Sequence, residues 1–273
     1  MRVFPLISLL IAVMIISISC GKSAETDSKP TEQKIKRWTL PSDRMIPYEM
    51  GKKYSYSFKV RDEQIGTASF EVNKYFNGYV IVSEIELFDP EFGDKIDGSG
   101  TLILDENWVP KSYTRQSYME FGDESDVKGD FIVEGVFSDG KANLGFKTPE
   151  KQEKQEKSLE IPDSFFIFDN NYIGQMAFVC SQPTLKSGRH ENLILLAIQQ
   201  KAILLIMMTP KIKIRMDFNG EKIIVYEVDM KANGQTFGHY FITPDGVLIR
   251  AIEDSGRMTI DLVTDYKQQS TPQ

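Results

Sequence analysis

A chain of 273 residues with 41% apolar side chains, seventeen Phe and eleven Tyr has ample material for one large β domain or two small ones. Its formal charge of −7 suits neither nucleic acid, whose phosphates require a basic patch, nor broad attraction to anionic lipid heads.

Residues 1–19, MRVFPLISLLIAVMIISIS, carry Arg2 and then an almost unbroken apolar run. A short positive start, an apolar centre and small exit residues describe an export signal. The run falls short of the roughly 20 apolar residues of a comfortable membrane span. Ser17, Ile18 and Ser19 lead directly into Cys20. That junction resembles the lipobox of bacterial lipoproteins. The resemblance implies a diacylglyceryl group on the Cys20 thiol, cleavage just before it, and acylation of the new amino group. One acyl chain anchors marginally, whereas two or three hold stably, at about 0.8 kcal/mol per buried methylene. A non-cleaved anchor with an incidental cysteine is the competing reading. Residues 20–44 follow as a tether, because GKSAETDSKPTEQKIKR has too little apolar surface to offset the ordering of its backbone. Gly21 after the cysteine, in place of aspartate, points to the outer membrane of a bacterial cell envelope.

Residues 45–266 read as a single β-rich domain, with 267–273 a tail. Tyr54, Tyr56, Phe58 and Val60 alternate with polar residues. IGTASFEV, GYVIVSEIEL, TLIL, KSYTRQSYMEF and VKGDFIVEGVF follow as strand-length runs. Turn dipeptides punctuate them: Asn77-Gly78, Asp97-Gly98, Asp139-Gly140, Asn219-Gly220, Asn233-Gly234 and Asp245-Gly246. GSGT, residues 98–101, lacks the spacing of a nucleophile elbow and reads as a flexible turn into TLIL.

TPEKQEKQEKSLE, residues 148–160, is a charged connection or a short exposed helix. In DSFFIFDNNYIGQMAFVC, residues 163–180, Asp169 or Asn170 is placed to cap a helix starting near Tyr172. Ile173, Met176, Ala177 and Cys180 then fall at helical spacing. Cys180, among apolar neighbours, reads as a buried structural thiol. NLILLAIQQKAILLIMM, residues 192–208, is interrupted by Gln199, Gln200 and Lys201, so two buried strands fit it better than a membrane span. KIKIRMDF-NG-EKIIVYEVDM is a hairpin with one covered and one wet side. TFGHYFIT, GVLIRAI and RMTIDLVT extend it as an antiparallel meander.

The fold class is therefore mainly β: a curved antiparallel sheet or half-barrel with one or two helices packed over it. Lipobox, tether, long strands and apolar helix together resemble envelope lipoproteins of the lipoprotein-carrier superfamily. VRDEQIGTASFEV and GQTFGHYFITPDGVLIRAI look like uncharacterised periplasmic proteins of similar build. The resemblance implies a half-barrel with helices over its concave face, enclosing an apolar cavity for acyl chains. Tyr54, Tyr56, Phe58, Phe165, Phe166, Phe168, Met176 and Phe178 are the candidates to line such a cavity. Close packing of the same groups is the alternative.

Chemistry is otherwise sparse. His190 and His239 have no partner at metal-ligand spacing, no CxxC or HExxH is present, and neither a metal nor a cofactor is indicated. Glu84 and Glu86, two apart on a strand, share one face as a general acid–base pair for sugar chemistry would; a solvated strand face explains them equally. Asp89, Glu91, Asp94 and Asp97 offer oxygen donors outside the EF-hand register. The leading expectation is a lipid-anchored protein that binds or transfers a hydrophobic or amphipathic ligand. The alternative is a scaffold for another envelope protein. A carbohydrate-active enzyme comes third.

Overall fold

The computed structural model describes residues 46–90, 93–122, 128–149, 153–169, 172–182, 185, 189–253 and 256–266. The export segment, Cys20, the tether, Glu91 and Asn170 lie outside the described residues. Eight strands come first: β1 (Lys53–Val60), β2 (Glu63–Tyr75), β3 (Gly78–Asp89), β4 (Asp94–Leu104), β5 (Pro110–Glu120), β6 (Lys128–Ser138), β7 (Lys141–Lys147) and β8 (Gln155–Glu160). A short β9 (Phe166–Phe168) and helix α1 (Ile173–Ser181) follow. The chain then forms β10 (Glu191–Ala197), β11 (Ala202–Phe218), β12 (Glu221–Ala232), β13 (Gln235–Ile242), β14 (Leu248–Glu253) and β15 (Met258–Leu262).

All fifteen strands belong to one sheet, ordered β8 to β1 and then β15 back to β9. Each half is a meander, and the halves join where β1 pairs antiparallel with β15. Only β9 and β10 pair in parallel among these ladders, and α1 is the crossover that a parallel pair requires.

This order forces curvature. Laid flat, fifteen strands spaced about 4.8 Å apart would be roughly 67 Å wide. Yet the two edges, β8 and β9, are joined by residues 161–165 alone, a link that reaches at most about 20 Å. The sheet must curl until its edges approach. They meet without a ladder: Lys157 Nζ on β8 donates to the Lys201 carbonyl at 2.9 Å. Lys201 Nζ lies 4.2 Å from the centre of the Phe146 ring, and Phe137 meets Phe165 edge-on at 5.5 Å.

Alternation within the strands sorts the two faces. One inward row runs Tyr54, Phe70, Ser83, Gly100, Arg115, Val133, Phe146 across seven strands. The next runs Tyr56, Ala68, Ile85, Gly98, Ser117, Phe131. Helix α1 lies within the curl against β2, β3, β9 and β14, and every one of its residues is buried. A helix so enclosed needs no polar stripe, which is why IGQMAFVCS is apolar nearly all round.

Several turn readings hold: Asp139-Gly140, Asn219-Gly220 and Asn233-Gly234 all take positive φ between strands. Others are corrected. At Asn77-Gly78 the turn sits one residue earlier, with Phe76 at φ 48°, and Gly78 opens β3. Asp97-Gly98 and the GSGT segment are not a turn but the middle of β4. Glycine there answers to packing: a Cβ on Gly98 would lie 2.4 Å from Ser117 Cβ, and one on Gly100 3.1 Å from the Tyr172 ring. The charged stretch 148–160 is strand over Gln155–Glu160, with most of its side chains exposed. Charge at a sheet edge blunts pairing with other chains, and it resembles a solvated link in sequence. Residues 192–208 do form two strands joined at 198–201. No described helix is long and apolar enough to cross a membrane.

Candidate functional site

Within the curled sheet the apolar interior has a polar pole around Arg115. KSYTRQSYMEF alternates so that Tyr113, Arg115, Ser117 and Met119 point inward from β5. Arg115 meets Asp169, on the link between β9 and α1, with side-chain exposures of 1% and 0%. Its Nη1 donates to both Asp169 oxygens at 3.0 and 3.1 Å. The Tyr113 hydroxyl donates to Oδ2 at 2.9 Å and Gln199 Nε2 to Oδ1 at 3.1 Å. Arg115 Nε donates to Ser117 Oγ at 3.1 Å. The guanidinium lies 4.7 Å from the Phe131 ring centre and 5.1 Å from that of Tyr172, both within cation–π range. Burial pushes the Tyr172 hydroxyl up to about 12, while Arg115 pulls it down.

Asp169 or Asn170 is the expected helix cap, and Asn170 lies outside the described residues. Instead Tyr172 occupies the N-cap position without a side-chain cap bond, and the Asp169 carboxylate turns to Arg115. A buried guanidinium is the stronger claimant, because an unpaired buried charge costs several kcal/mol whereas a missing cap costs about 1 kcal/mol. Ser83 Oγ and both amide atoms of Gln175 are buried without a hydrogen-bond partner. Gly174 brings the helix onto Ser83: a Cβ there would fall 2.4 Å from Ser83 Oγ.

All eight aromatic and methionine candidates are buried, the most exposed being Met176 at 8%. Tyr54 and Tyr56 stack on Phe70 at 5.5 and 6.2 Å. Phe166 meets Phe178 edge-on at 5.7 Å, and Phe178 lies 6.0 Å from Trp108. Tyr54, Tyr56 and Phe58 share the inward face, as the alternation requires.

Glu84 and Glu86 point the other way, into an open groove of about 740 Å³ on the outer face of β1 to β6, with Lys53, Ser69, Asp97 and Tyr118. Lys53 Nζ sits 2.6 Å from Glu84 and its hydrogen bond holds that carboxyl below the usual range. A general acid needs the opposite shift. Asp89 and Asp94 face each other across the β3–β4 hairpin and are buried, whereas Asp97 looks out into the groove; these carboxylates are not gathered around one point.

The histidine reading changes. Pairing of β12 with β13 sets His239 opposite Asp229, with Nδ1 and Oδ1 2.8 Å apart. Glu227, Asp229 and His239 each place a ligand-type atom within 4.8 Å of the others. Lys211 Nζ already bridges both carboxylates, at 2.8 Å to Asp229 and 3.2 Å to Glu227. A divalent cation would have to displace that ammonium group. Burial pushes Asp229 up, but Lys211 and His239 outweigh it and hold its carboxyl low.

Sequence reasoning missed Arg115 and Asp169. Alternation within KSYTRQSYMEF places Arg115 on the face of Tyr113 and Met119, and that was the available signal.

No protein-family model matches the chain, and no curated protein matches it. Among solved structures it is similar to a β-barrel-like protein of a domain of unknown function, DUF1849, from Brucella abortus. That likeness has 11% identity and a TM-score of 0.49, over 77% of this chain and 94% of the other. It is also similar to a DUF1089 family protein from Pseudomonas aeruginosa, at 12% identity and a TM-score of 0.36, over 67% and 87% of the two chains.

Proposed function

We propose that this chain is a lipid-anchored bacterial cell-envelope protein, held at the outer membrane through Cys20, that binds or hands on an amphipathic ligand within its curled sheet. One observation carries the reading. An interior built from aromatic and aliphatic side chains also holds Ser83 and Gln175 with buried polar atoms that lack partners. Native proteins satisfy the large majority of such groups. An amphiphile supplies both what the aromatic walls want and what these polar atoms lack. The packed state of α1 requires that the helix shift for a ligand to enter.

Two measurements test this. A chain that starts at residue 20 and carries Cys20→Ala has neither the apolar segment nor the acyl groups and should be soluble, whereas the wild-type chain should stay with the membrane. An unlipidated wild-type chain with its first 19 residues intact, seen by mass spectrometry, would overturn the anchoring. The soluble Cys20→Ala protein should bind a fluorescent fatty acid saturably, and well-folded protein that does not would remove the ligand reading.

A second reading has its own support. Phe76 is 90% exposed at the tip of the β2–β3 hairpin, edge-on to the half-exposed Tyr75. Two aromatics projecting from a hairpin suit a scaffold that grips another envelope protein.

A further inference from the structure

Resting on the reading of the interior as a ligand site, we infer that the pole around Arg115 is its head-group seat, that it takes an oxyanion carried on an acyl chain, and that Asp169 occupies this seat when no ligand is bound. The donors decide the class. Arg115 Nη1, the Tyr113 hydroxyl and Gln199 Nε2 converge on the two Asp169 oxygens, all between 2.9 and 3.1 Å. That is a donor set for a carboxylate or a phosphate, whichever molecule presents it. A cationic head would meet the guanidinium and be repelled.

The seat has more donors than Asp169 uses. Arg115 Nη2 lies 3.9 Å from the Met119 sulfur, a weak acceptor. Ser83 is next to Gly100 in the inward row, and Gly100 is next to Arg115. Gly174, in the first turn of α1, lies against Ser83. The uncapped start of the helix therefore adds the positive end of its dipole to the same locus. Ser83 Oγ, buried and unpartnered, is the second sign of a missing polar occupant.

Asp169 differs from the other members in where it is attached. Tyr113, Arg115 and Ser117 project from β5 in the sheet wall, whereas Asp169 sits on the link into α1, after a strand of three residues. Withdrawal of the Asp169 carboxylate alone opens the seat without disturbing the wall. Displacement by an incoming oxyanion exchanges one charge-assisted set of hydrogen bonds for another, so the acyl chain's burial supplies the net drive.

The test uses the mature chain, residues 20–273, as Cys20→Ala, titrated with oleate, dodecyl phosphate, monoolein (an uncharged head on the same acyl chain as oleate), acetate and inorganic phosphate. Asp169→Asn keeps the volume and removes the competing charge. The affinity ratio of oleate to monoolein should rise about tenfold in Asp169→Asn, and dodecyl phosphate should gain similarly. Acetate and inorganic phosphate should show no saturable binding. An unchanged or reduced ratio would overturn the assignment of the seat, while monoolein binding would leave the wider ligand reading standing. Failure of every amphiphile with the parent chain would instead overturn that wider reading. Saturable binding of inorganic phosphate without binding of either acyl anion would make the pole a free-anion site and sink the proposal. Should Asp169→Asn fold poorly, the neutral pair Arg115→Gln/Asp169→Asn serves: it should erase the preference for oleate, and a retained preference contradicts the inference.

Discussion

Replacing Arg115 with methionine isolates the energetics of the pole. The substitution keeps most of the side chain's length and removes the charge, leaving the Asp169 carboxylate at 0% exposure without its counter-ion. Tyr113 and Gln199 still donate to it at 2.9 and 3.1 Å, so the carboxylate is solvated in part but not neutralised. Breaking one side of a buried pair costs about 3–5 kcal/mol. With a urea dependence of about 2–3 kcal/mol per molar for a domain this large, the midpoint should fall by roughly 1–2 M. Arg115→Met/Asp169→Leu replaces the pair with apolar volume and should recover most of the deficit, giving a coupling energy well above the few tenths expected of independent sites. Urea titrations followed by near-ultraviolet and far-ultraviolet circular dichroism on the parent, Arg115→Met, Asp169→Leu and the double variant measure this. A single Arg115→Met variant as stable as the parent, or a double variant no better than the single, would refute the buried ion pair.

Three other outcomes are expected. Gly174→Ala gains about 1 kcal/mol of helix propensity, yet its Cβ would lie 2.4 Å from Ser83 Oγ and 2.9 Å from Phe70 Cβ. Overpacking of about 1–3 kcal/mol should win, Ser83→Gly should restore part of the loss, and a stabilised Gly174→Ala protein would show that α1 does not rest on β3. Gly220→Val puts a β-branched residue at φ +81° and should cost about 1–3 kcal/mol, so an unchanged melting midpoint would deny the turn. Asp229, held low by Lys211 and His239 against its burial, stabilises the fold above an unfolded pKa of about 3.9. That contribution disappears as pH falls through the lower folded value, so Asp229→Asn should flatten the acid limb of the stability profile, and an identical limb would contradict the pairing.

How far the sequence reads depends on the range of the interaction. Hairpins such as Asn219-Gly220 are legible because turn chemistry and alternation are local. The joining of β1 to β15 is not, since Phe58 meets Ile260 across most of the chain. Glycine is ambiguous by nature: Gly98 and Gly100 look like a turn and are in fact clearances for Ser117 and Tyr172. A charged edge strand with both faces wet, like QEKSLE, has the composition of a link. Alternation places Arg115 on a face but does not say which face is inside, and Asp169 meets it only through tertiary packing. Likewise His239 finds Asp229 across a ladder, not along the chain.

A fatty acid bearing a diazirine, photolysed with the soluble Cys20→Ala protein and mapped by peptide mass spectrometry, asks directly whether the interior holds an amphiphile. Saturable adducts on β5 around Tyr113 to Met119 and on α1, competed away by oleate, are the predicted result. Adducts confined to the Tyr75–Phe76 tip or to the outer groove around Glu84, or no saturable adduct from folded protein, would contradict it.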